Sequence, residues 1–76
     1  MLKCLMLAEK EYLRSNGLYP MFHSTHEGYA VIKEEVDELW DEIKSSKNTT
    51  PDVMQRAEVI QIMAMCCKFL ESWPED

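Results

Sequence analysis

A chain of 76 residues, 46% of them apolar and 29% charged, is one small globular domain with no room for a two-domain enzyme. A fold of this size hides only about 60% of its unfolded surface, and one core supplies roughly 3–5 kcal/mol, so a metal, disulfides or a partner subunit normally adds the rest. The formal net charge of −6 repels phosphate backbones and disfavours plain nucleic-acid binding.

The first predicted element is a helix over about residues 2–15, with Leu5, Ala8, Tyr12 and Leu13 at helical spacing. Asn16 and Gly17 should end it, because glycine accepts the left-handed conformation that closes helices. A linker containing Pro20 follows. The second helix, over residues 24–45, opens on a capping box. There the Ser24 hydroxyl would accept the Glu27 N–H and the Glu27 carboxylate would reach back to the Ser24 N–H. Behind it Tyr29, Ile32, Val36, Leu39 or Trp40, and Ile43 recur at three- and four-residue steps. The third helix, over residues 51–72, reads as starting from Thr50 as N-cap with Pro51 at the first helical position, and Pro74 stops it. Alternating β-branched runs and hairpin dipeptides are absent, so the expected fold is all-α.

Cysteine and terminal patterns narrow the setting. Cys4, Cys66 and Cys67 are odd in number and lack metal-binding or C-x-x-C spacing, so neither a disulfide scaffold nor a zinc finger is expected. Reduced thiols suit the cytoplasm, and Cys66 reads as a small buried hydrophobe. The segment from Met1 to Ala8 is too soon interrupted by charge to be a signal peptide. The longest apolar stretch, Val59 to Cys67, falls far short of the ~20 residues a bilayer requires. A soluble protein without a membrane role is expected.

The anomaly lies in the acids. On the second helix, Glu35, Glu38 and Glu42 fall within about 60° of one another at 100° per residue, beside the apolar stripe. Like charges at that spacing destabilise a helix unless something offsets them. The third helix is apolar on every side from Ala57 to Cys67 except at Glu58 and Gln61, and a helix of that kind should be buried all round, by its own chain or by a second subunit. Glu58 therefore needs a cation or a donor, since an isolated buried carboxylate is heavily penalised. If the two helices pack, Glu35, Glu38, Glu58 and Gln61 converge into an oxygen-only set suited to a hard divalent ion such as Mg²⁺. A solvated acidic face and a salt bridge from Arg14, Arg56 or Lys68 to Glu58 are the plainer alternatives.

The order Glu34-Glu35-x-x-Glu38, then nineteen intervening residues, then Glu58-x-x-Gln61, resembles the signature of the MazG-like all-α nucleoside triphosphate pyrophosphohydrolases. That superfamily includes the dimeric dUTPases, and the likeness covers roughly residues 23–71. It implies a Mg²⁺ enzyme (Mn²⁺ serving in its place) that hydrolyses a (d)NTP to the monophosphate and pyrophosphate. It further implies metal ligation by Glu35, Glu38 and Glu58, with Gln61 standing where the family has aspartate. Glu34 or Glu38 would orient the attacking water. Lys68, Arg56 or Lys44 would meet the phosphates, and Trp40, Phe22 or Tyr29 the base.

Members usually carry a fourth helix, so the expected subunit is a three-helix antiparallel hairpin-type unit completing a helical bundle by oligomerisation as a dimer or tetramer. Its partners would be a small-molecule nucleotide and further copies of itself. The neutral Gln61 leaves a second reading open, a weak or inactive relative that binds a nucleotide or a protein, and a plain helical interaction module is the third. His23 and His26 read as helix-start residues, and Met54, Met63 and Met65 as adaptable core filler.

Overall fold

In the computed structural model, which describes residues 2–16 and 21–75, the chain forms three helices. They are α1 (Lys3–Asn16), α2 (Thr25–Ser45) and α3 (Val53–Ser72), and no strand occurs among the described residues. None of the three is long and apolar enough to cross a membrane. Gly17 and Pro20, the expected stop and linker residues, lie outside the described residues.

Both later helices are capped by side chains, each with a difference from expectation. Ser24 is the N-cap of α2, its hydroxyl accepting the Glu27 N–H at 3.0 Å. Glu27 reaches back one residue further than a capping box requires and accepts the His23 N–H at 3.0 Å. For α3 the cap is Asp52, not Thr50. The Asp52 carboxylate accepts the Gln55 N–H at 2.8 Å, so the helix starts at Val53 and Pro51 stays outside. An ionised cap is the better acceptor for the orphan N–H groups and the positive helix end.

The layout is an open layer with α3 in the middle. Both α1 and α2 pack on α3, and they do not pack on each other. The start of α2 lies against the end of α3, where Gly28 abuts Phe69, and Glu38, further along α2, lies near Glu58 on α3. Gly28 is needed at that crossing. A Cβ there would stand 2.6 Å from the Phe69 ring and 3.1 Å from Phe22.

The chain's own helices do not bury α3 all round. Its buried residues are Gln55, Ala64 and Lys68, whereas Val59, Cys66, Cys67 and Leu70 are exposed. Cys66 is therefore not a buried hydrophobe in the single chain. Met63 and Met65 are half-buried and Met54 is exposed. Two neighbouring helices cover only part of a cylinder, and the rest of an all-apolar surface is left facing out.

Candidate metal centre

Glu35 and Glu38 are one helical turn apart on α2, and the packing of α2 on α3 carries Glu58 to meet them. A carboxylate oxygen from each of the three lies within 4.8 Å of the others. Glu35 and Glu58 are half-buried and Glu38 is exposed, so the trio opens to solvent on one side.

On the inner side, Glu35 Oε2 and Glu58 Oε2 are shut off from water and have no hydrogen-bond partner. Burial, proton sharing with Glu58 and the negative charges of Glu38, Glu58 and Glu34 push the Glu35 carboxyl up to about 7 from its ordinary 4.5. Three carboxylates, two of which carry an orphaned oxygen, form a hard donor set that fits Mg²⁺ or Mn²⁺ and does not fit softer metals that select thiolate or imidazole.

Beside the trio runs a groove of about 580 Å³, over the α3 surface that lies between α1 and α2. Glu34, Glu35 and Gln61 line it, as do Arg14, Phe22 and Lys68. Gln61 lines the same groove as Glu35. Lys68 is 4% exposed, with its Nζ 5.1 Å from the centre of the Phe22 ring. Phe22 is held there by its own N–H, which donates to Ser72 Oγ at 3.1 Å, while that hydroxyl donates to the Lys68 carbonyl at 2.7 Å. Arg14 Nε donates to Glu11 at 3.0 Å and holds that carboxyl below the usual range.

The other expected contributors stand elsewhere. Arg56 is exposed and does not line the groove. Trp40 is 56% exposed on the opposite flank of α2, with Lys44 above its ring at 5.8 Å and Lys44 also 3.4 Å from Asp41. Tyr29 faces outward on that flank as well. Of the three aromatic candidates only Phe22 borders the acids' groove. Arg14, named in the sequence as a possible partner for Glu58, pairs with Glu11 instead, and Ser72 went unread, since its contacts with Phe22 and Lys68 are ones no local spacing encodes. No family model matches the chain, and neither a curated protein nor a solved structure is found to be similar to it.

Proposed function

We propose that the chain is a divalent-cation-dependent hydrolase that cleaves nucleoside triphosphates to the monophosphate and pyrophosphate. The observation that carries this reading is the convergence of Glu35, Glu38 and Glu58, each with a carboxylate oxygen within 4.8 Å of the others, two of these residues also having a water-excluded, unpartnered oxygen. Such a set is poorly tolerated unless a proton or a cation sits among the carboxylates. The order of the acids along the chain, which resembles that of the MazG-like pyrophosphohydrolases, turns a cation site into a specific reaction.

Glu35, Glu38 and Glu58 would hold Mg²⁺. When bound, the ion supplies neutralisation of the polyphosphate and a water of lowered pKa. Glu34 lies at the groove edge outside the trio, free to accept a proton from water as it attacks phosphorus. The bond from phosphorus to the bridging oxygen breaks, and pyrophosphate leaves. Lys68 offers an ammonium inside the same groove, where low exposure strengthens its pull on an anion. Phe22 offers a flat apolar face beside it.

Gln61 favours a second reading. It brings an amide where a carboxylate would add charge, which suits a relative that binds a nucleotide without cleaving it. Pyrophosphate release from a panel of dNTPs and NTPs with Mg²⁺ separates the two. Turnover that disappears in Glu38→Gln supports hydrolysis. Binding by calorimetry with no turnover on any nucleotide rejects hydrolysis and leaves the binding module.

A further inference from the structure

Among the described residues, the cations that line the acids' groove are Lys68 on α3 and Arg14 on α1, set against the carboxylates of Glu11, Glu27, Glu34 and Glu35. Lys44 and Arg56, which the resemblance offered to the phosphates, do not line it. A triphosphate carries more negative charge than one divalent ion cancels, so a ligand held at Glu35, Glu38 and Glu58 calls for cations beyond the metal. Lys68 supplies one from the floor of the groove. The α1 wall supplies the other.

The docking of α1 puts Arg14 there. Ala8 and Ser15, two turns apart, are buried and seat α1 on α3. At 100° per residue, Glu11 lies roughly 50° and Arg14 roughly 110° around the helix from that docking face, both on the same flank. Tyr12 lies on the other flank, where it lines a separate groove with Met63 and Cys67. Of the ion pair, Glu11 is the deeper side chain, at 21% exposure against 58% for Arg14. Its carboxylate accepts from Arg14 Nε at 3.0 Å and from Nη2 at 2.5 Å, a two-point grip that fixes the plane of the guanidinium at the rim of the groove. The Nη1–Nη2 edge is the one that can meet an oxyanion, because a charged phosphate oxygen is a stronger acceptor than any neutral one.

We propose that Arg14 is a second cationic grip on the ligand, meeting from the α1 wall a chain of phosphates anchored at the acid trio on α2 and α3. The proposal rests on the nucleotide reading above and gives α1 a part in the site. A purely structural role for the Arg14–Glu11 pair is the weaker account, since an exposed ion pair within one helix adds little to stability. Sharing the guanidinium between Glu11 and a phosphate therefore costs little. The two cations also differ in kind. A planar guanidinium matches two phosphate oxygens at once, whereas the Lys68 ammonium is a point charge, so Lys68 attracts the chain of phosphates and Arg14 orients it.

Calorimetry of the full chain with inorganic tripolyphosphate in saturating Mn²⁺ tests the assignment without requiring turnover. Arg14→Gln should weaken binding about tenfold, the loss expected for a charge-assisted contact. Arg56→Gln removes the same charge outside the groove and should weaken it less than about twofold, because salt screens a distant exposed charge. Arg14→Lys should recover only part of the loss, since an ammonium makes no two-point contact. Arg14 is exposed, so Arg14→Gln should fold and should melt with the native chain in Mn²⁺ alone. Unchanged affinity in Arg14→Gln, an equal loss in Arg14→Gln and Arg56→Gln, or no binding of tripolyphosphate by the native chain would each overturn the proposal. A chain that grips tripolyphosphate through Arg14 yet turns over no nucleotide would uphold the proposal and reject hydrolysis. Turnover of nucleotides with tripolyphosphate affinity indifferent to Arg14 would do the reverse.

Discussion

At Glu35 two demands oppose each other. Packing of α2 on α3 buries the carboxyl beside Glu58, while neutral pH favours its ionised form in water. Unfolded, the group titrates near 4.5; folded, it titrates at about 7. Between those values the native state binds more protons than the unfolded state, so metal-free stability falls as pH rises from about 4.5 to about 7 and levels off above. Screening by the adjoining solvent holds the loss to about 1–2 kcal/mol. Glu35→Gln should remove that part of the pH dependence, as read from urea melts at pH 5 and pH 7.5 in EDTA. In the native chain Mn²⁺ should raise the melting temperature more at pH 7.5 than at pH 5.5, because it must displace a proton at the lower pH. An equal shift at both values would separate the metal from this carboxyl. At Gln61, the substitution Gln61→Asp adds a charged oxygen to the groove and should tighten Mn²⁺ binding about tenfold by calorimetry. Unchanged affinity would mean that Gln61 does not reach the ion.

Among the elements, α2 is the one whose register matters most. Its cap at Ser24 and its crossing at Gly28 together set which face meets α3, and hence that Glu35 and Glu38 point toward Glu58. Gly28→Ala would gain about 1 kcal/mol of helix propensity but forces a Cβ to 2.6 Å from the Phe69 ring, and overpacking of this kind costs about 1–3 kcal/mol. A net loss of stability is expected, together with a weaker response to Mn²⁺ because the acids are moved apart. A stabilised variant with full metal response would show that Phe69 gives way freely. The extent of α2, the end of α3 and the cap at Ser24 were legible in the sequence, because local hydrogen bonding and apolar periodicity decide them. The start of α3 was not, since Thr50 and Asp52 are both competent caps and the choice rests on which backbone turn the loop permits.

For the whole molecule, the central position of α3 governs what is gathered and what stays uncovered. One groove holds the acids and Lys68, while Val59, Cys66 and Leu70 remain exposed. If a second copy covers the exposed apolar side chains, folding and association are linked, and the melting temperature should rise by several degrees over a hundredfold increase in protein concentration. A melting temperature independent of concentration would show a chain stable alone. The exposure of Cys66 was unreadable from sequence, because an all-apolar helix looks the same whether its own chain or another one covers it.

By itself the sequence determined the helical class, the lengths of α2 and α3 to within two residues, and the presence of acids at positions that share a helix face. Hydrogen bonds within a turn and the 3.6-residue period act over short range, so they are written locally. Only the tertiary structure decided that Glu58 meets Glu35 and Glu38, that Phe22 and Ser72 close the groove around Lys68, and that Arg56 and Trp40 stay outside it. Those outcomes depend on the angle at which helices cross and on which residues near a crossing are small enough to permit it, a property of pairs of surfaces and of neither strip of sequence alone.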